Sequence, residues 1–169
     1  MNFPNITDNI ILYKSFQILY SYLKNHFGYY IYESNIANFQ FEIEYNRDLL
    51  KFLFYGTNSY INHSIDLLIK FFEYKNFDSK LFDFSNAHNQ LELEDQIYSE
   101  NIIKISNLMK SNLIKNFYTE EELIKKEITF EDFEYMGNNL FNQATIICYF
   151  EGNIIKNDVS NFKMKFNNL

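Results

Sequence analysis

The sequence predicts an α+β fold, with about four helices packed on a mostly antiparallel sheet of four to six strands. Three observations lead there. Apolar residues recur at helical spacing over 10–23 and again over 61–72. Between them, over 39–45, apolar and polar residues alternate strictly, which is the period of a half-buried strand. The C-terminal third adds an apolar run at 144–150 and a second alternation at 162–166. With 47% hydrophobic residues, 20% aromatic, and only four Gly and one Pro in 169 residues, the chain has ample core material and little linker composition. Residues 1–169 are therefore expected to form a single globular domain.

The first helix begins near Thr7 or Asp8, either of which can accept a hydrogen bond from an unpaired N–H of the first turn. Ile11, Phe16, Leu19, Tyr20 and Leu23 form its apolar stripe, widened by Ile10, Leu12 and Ile18. Gly28 is placed to end it in the left-handed conformation. Phe39, Phe41, Ile43 and Tyr45 then alternate with Gln40, Glu42, Glu44 and Asn46. Arg47-Asp48 turns the chain into an antiparallel partner carrying Leu50, Phe52 and Phe54 and ending at Gly56. A second helix, capped by Thr57 or Ser59, carries Ile61, Ile65, Leu68, Ile69 and Phe72 on one face.

Leu81-Phe82-Asp83-Phe84 and Leu91-Glu92-Leu93 lean to strand, and Asp95 caps a third helix bearing Tyr98, Ile102, Ile105, Met109 and Leu113. Thr119 and Glu122 have the spacing of a capping box, which opens a short fourth helix reaching about Lys126. Ala144–Phe150 is apolar on both faces, as a strand covered on each side would be. Gly152-Asn153 makes a turn. Phe162, Met164 and Phe166 alternate with Lys163, Lys165 and Asn167 in a last, half-exposed strand.

Charge is distributed unevenly. Residues 91–136 hold eleven carboxylates against five lysines, so this segment carries −6 of the formal −7. Such a field repels nucleic acid and anionic membrane, and it accelerates encounter with basic surfaces. Lys156, Lys163 and Lys165 form only a small basic patch, and Arg47 is the sole arginine. Neither nucleic acid nor membrane is an expected partner. The opening Met1-Asn2-Phe3-Pro4-Asn5 has no basic stretch followed by an apolar run, and no segment approaches the roughly 20 apolar residues of a membrane helix. The chain reads as soluble and cytoplasmic.

Signatures of chemistry are missing from the sequence. Glycines at 28, 56, 137 and 152 cannot write a phosphate-binding loop, and no calcium loop or HExxH appears. One cysteine, Cys148, excludes an internal disulfide and a multi-cysteine zinc site; within Ile146-Ile147-Cys148-Tyr149-Phe150 it reads as a buried small hydrophobe. No cofactor or metal is expected. Of the histidines, His26 lies in the last turn of the first helix, where a positive charge suits the dipole. His63 opens the second helix, and His88 sits in the polar stretch Ser85-Asn86-Ala87-His88-Asn89. Asp83, Ser85 and His88 make a relay on paper, with no GxSxG elbow beside them.

What remains is a binding protein. Glu120, Glu121 and Glu122 in a first helical turn, and Glu131, Asp132 and Glu134 interleaved with Phe133 and Tyr135, form the expected partner-binding set: six acids to steer and two aromatics to anchor. Its expected partner is a basic protein, and its expected role is that of a dedicated inhibitor occluding a toxin or enzyme. The immunity proteins that neutralise bacterial nuclease toxins are of this type, although no residue motif is shared with them. The alternative is a small hydrolase or transferase using carboxylates with His88.

Overall fold

Helix α1, Ile10–His26, is covered on almost every side: Lys14 to Leu19 and Ser21 to Leu23 are all buried. The computed structural model describes residues 6–74, 76–98, 105–107, 109, 110, 113, 114, 116–139, 144–153 and 156–166. Among these the protein is α-rich with one β-hairpin. The α+β reading with a four-to-six-stranded sheet is therefore corrected: only the first two of its strands form.

A 3₁₀ turn at Ile6–Asp8 takes up Thr7 and Asp8, so the α1 cap falls to Asn9, whose Oδ1 accepts from the Ile11 N–H at 2.8 Å. The helix ends at Phe27, and Gly28 opens α2, Gly28–Ile36, instead of turning the chain left-handed. The hairpin follows the alternation. β1, Gln40–Asn46, pairs antiparallel with β2, Leu49–Tyr55, in the register Asn46↔Leu49 to Gln40↔Tyr55. Arg47 takes the first turn position with φ 51°. One face then carries Phe41 against Phe54, Ile43 against Phe52 and Tyr45 against Leu50, and it packs on α1 and α2. Gly56 leaves β2 at φ 151°, where a Cβ would lie 2.7 Å from the Phe39 ring. Thr57 then caps α3, Asn58–Tyr74, and Ile65, Leu68, Ile69 and Phe72 are buried as the stripe predicts.

The next stretch departs most from the sequence reading. Residues expected as two short strands form one helix, α4, Ser79–Ile97, capped by the Asp78 side chain on the Leu81 N–H. Its inward face is Phe82, Ser85, Asn89 and Leu93, at helical spacing. Two of those four positions are polar, so the apolar signal fades and the surviving Leu-Phe and Leu-Glu-Leu fragments mimic strands. Small Ser85 lets α4 approach α1, where it meets Asn25 Nδ2 at 3.2 Å. Asp95 lies inside this helix, two residues before its end, and so does not start a new one as the sequence reading has it.

Helix α5, Glu120–Lys125, packs on α4, and α6, Phe130–Asn139, packs on α1. Ala144–Phe150 is irregular apart from a single bridge residue at Thr145. Only Ala144, Ile146 and Phe150 pack inward, so the two-sided strand expected there does not form. The last expected strand is instead helix α7, Lys156–Phe166, in which Phe162 packs with Ile65 and Ile69 of α3 while Met164 faces out. Lys165 Nζ ties it to Asp66 at 2.6 Å. A period of two and a helical period place different residues inward. Among the described side chains of α7 Phe162 reaches the core, and Lys163 is exposed. Met1–Asn5, Glu100, Ile102, Lys104, Lys115 and Asn167 lie outside the described residues.

Tyr22, Phe77, Phe82 and Phe133 form the aromatic centre of the core. Gly137 of α6 touches it closely enough that a Cβ would sit 2.5 Å from the Phe77 ring. Gly137→Ala should therefore destabilise by about 1–3 kcal/mol, because ring and helix must separate in a packed core. Equilibrium urea unfolding checks it, and an unchanged midpoint would refute the close packing.

Candidate functional site

The acidic helices owe their starts to local hydrogen bonds. Thr119 Oγ1 accepts from the Glu122 N–H at 3.3 Å, and the Thr119 N–H donates back to Glu122 Oε2 at 2.8 Å, completing the capping box. Thr129 repeats the device: its N–H donates to Asp132 Oδ2 at 3.2 Å, and its Oγ1 accepts from the Asp132 N–H at 3.1 Å. Glu120 Oε1 accepts from Asn107 Nδ2 at 2.6 Å. Glu120, Glu122 and Asp132 are thus partly occupied in shaping the chain. Glu121, Glu131 and Glu134 are exposed and have no ion-pair partner among the described residues.

The two aromatics expected as anchors separate. Tyr135 is 67% exposed on α6, whereas Phe133 is fully buried, its ring centroid 5.4 Å from Tyr22, 5.1 Å from Phe77 and 5.0 Å from Phe82. Phe133 is a core residue and does not reach a partner. On a helix the two residues lie about 200° apart, so burying one exposes the other.

The sequence sets Ile105, Met109 and Leu113 on one face of a helix, and the structure leaves all three exposed. They are 57%, 59% and 79% exposed and, with Ser106, Lys110 and Ile114, line an open groove of about 380 Å³. An amphipathic pattern shows that a face avoids water without saying what covers it. Tyr98, on the same expected stripe, is also exposed.

The histidine chemistry does not assemble as a relay. Ser85 is wholly buried against Asn25, and His88 Nε2 instead lies 3.4 Å from Glu92 Oε1 on the exposed side of α4. Among the described residues no group of three His, Cys, Asp or Glu is disposed to hold a metal ion. Cys148, expected inside, is exposed, and partial shielding from water pushes its thiol upward, away from the reactive thiolate. Burial likewise raises Tyr13 and pushes Tyr45 up to about 12, with Tyr13 and Glu92 adding charge repulsion at Tyr45. These phenols stay neutral through the physiological range. Lys14 is buried, and its Nζ donates to the Lys126 carbonyl at 2.7 Å and reaches Gln90 Oε1 at 3.4 Å. Desolvation lowers its affinity for a proton and Glu127 opposes that shift. The contacts make it a strut between α1 and the chain after α5.

His26 reverses the sequence expectation of a charged helix end. Its ring lies among Phe71 at 4.7 Å, Phe27 at 4.9 Å and Tyr22 at 6.2 Å, and burial there lowers its pKa. The folded state then resists protonation that the unfolded chain accepts. Stability should fall as pH drops through 6.5, the ordinary histidine value, and level off below the lowered folded-state value. Urea midpoints between neutral and mildly acidic pH, compared with His26→Gln, check this. An unchanged pH slope in the variant would refute it.

Among the described residues no helix is long and apolar enough to cross a membrane. Comparison with protein-family models, curated proteins and solved structures finds no match to the chain.

Proposed function

We propose that this protein is a dedicated inhibitor that binds a basic partner protein in the cytoplasm and occludes its working surface without doing chemistry. One observation carries the reading: residues 91–136 hold −6 of the formal charge, and Glu121, Glu131 and Glu134 within it stand exposed and unneutralised among the described residues. Uncompensated surface carboxylates raise the encounter rate with a cationic surface and discourage anionic ones. Tyr135 supplies an exposed aromatic beside them. The partner-binding set becomes Glu120, Glu121, Glu122, Glu131, Asp132, Glu134 and Tyr135, with Phe133 withdrawn to the core.

The test is affinity capture on the immobilised full chain from the organism that encodes it, with bound protein identified by mass spectrometry. One stoichiometric basic protein, released by moderate salt and inhibited on rebinding, is the expected result. Recovery of the bare chain alone would overturn the reading and direct attention to a hydrolase or transferase built around His88 and Glu92.

A further inference from the structure

Helix α4 carries large apolar residues on the side that faces water. Its inward face is half polar, with Ser85 and Asn89 buried beside Phe82 and Leu93. On the opposite side Phe84 is 61% exposed, Leu91 60%, and Tyr98, which closes the helix, 85%. These three stand seven residues apart, and exposed Lys80, Ala87 and Glu94 fall between and before them. Lys80, Phe84, Ala87, Leu91, Glu94 and Tyr98 therefore advance by alternating steps of four and three. That is the seam spacing of a coiled coil, and here it runs along about 27 Å of helix. Helix α4 lies on α1 and α5 through its other faces, so the seam is left uncovered.

Charge and size along the seam say what fits it. Lys80 stands at the N-terminal end, and Glu94 and Asp95 stand near the C-terminal end. A parallel copy of this helix would set lysine against lysine and acid against acid. An antiparallel copy instead brings Lys80 within one turn of the copy's Glu94 and Asp95, which is electrostatically complementary. With a two-fold axis level with Asn89, Lys80 pairs with Tyr98, Phe84 with Glu94 and Ala87 with Leu91. Each Leu91 then enters the space left by the small Ala87 opposite, and each Lys80 meets an aromatic ring. A contact in which one residue meets a second, and the second meets the first, is the closed form of a homodimer. We infer that the outer face of α4 is the contact surface for a second copy of this chain, packed antiparallel across the Phe84–Leu91–Tyr98 seam. This stands apart from the acidic-surface reading, since Glu121, Glu131 and Glu134 lie on α5 and α6. One helix pair is small beside the roughly 1,600 Å² of a stable interface, so the dimer exchanges at micromolar concentration.

Sedimentation equilibrium of the full chain, from low micromolar to near-millimolar concentration, tests this. Salt of about 0.15 M screens the −7 of each chain over about 8 Å. The mass should rise from that of one chain to that of two. Leu91→Glu should weaken association by about tenfold or more, with circular dichroism checking the fold. The position is exposed, so the core is untouched. Lys80→Glu should weaken association as well. Adding Glu94→Lys and Asp95→Lys to that variant should restore it, because only antiparallel copies then regain opposite charges.

A chain that stays monomeric throughout would overturn the inference. So would a dimer indifferent to Leu91→Glu, whose contact must lie elsewhere. Failure of the charge swap to rescue Lys80→Glu would overturn the antiparallel arrangement. A monomer whose captured partner is lost on Leu91→Glu would overturn the dimer and assign the seam to that partner.

Discussion

Phe133→Ala is expected to cost about 3–5 kcal/mol of folding stability, the range for deleting a fully buried phenylalanine. Its ring meets Tyr22, Phe77, Phe82 and Phe130, so truncation removes transfer energy and four ring contacts and leaves a cavity at the junction of α1, α4 and α6. A domain's total stability is about 5–15 kcal/mol, so the variant stands near the edge of folding. For a chain of this length the melting temperature should fall by about 6–20 °C. Tyr135→Ala, two positions along the same helix, should stay within about 0.5 kcal/mol of the parent, because its ring is in water. The pair of variants separates a core residue from a surface one. Equal effects at both positions would refute the placement of α6.

Charge reversal of Glu121, Glu131 and Glu134 to lysine should slow association with the captured partner by about 10–10²-fold at low ionic strength. The three changes raise the formal charge from −7 to −1. Because these side chains are exposed, their fields act through water and are screened over about 10 Å at 0.1 M salt. The parent and variant association rates should therefore converge as salt rises, while dissociation changes little. Stopped-flow mixing across a salt series reads both constants. An association rate that ignores the reversal would remove these acids from the interface. Glu120, Glu122 and Asp132 are less suitable targets, since their carboxylates also hold Asn107 and the starts of α5 and α6.

These two experiments turn on a distinction that local patterning does not contain. Glu131-Asp132-Phe133-Glu134-Tyr135 reads as aromatics offered beside charge, yet the helix turns one ring in and the other out. Ile105, Met109 and Leu113 read as one apolar helix face, and all three are exposed. In both places the sequence states a chemical type and an angular period. Which face meets another element depends on where α1, α4 and α6 come to rest.

Elements whose cause is local were legible along the chain. The hairpin follows from alternation on both strands around Arg47-Asp48, α1 and α3 follow from continuous apolar stripes, and the Thr119–Glu122 box needs only two side chains three positions apart. The charge of the 91–136 segment is likewise composition alone. Other features depend on contacts between distant segments. α4 is a helix whose inward Ser85 and Asn89 satisfy close packing on α1 at the expense of the apolar signal. α7 is a helix that sets Phe162 against α3 and ties Lys165 to Asp66. His26 is pushed toward neutrality by partial burial against Phe71 of α3 and its own neighbour Phe27. Burial is a relation between segments distant in the chain, so a pattern can show that a surface is apolar while only packing shows whether it is covered.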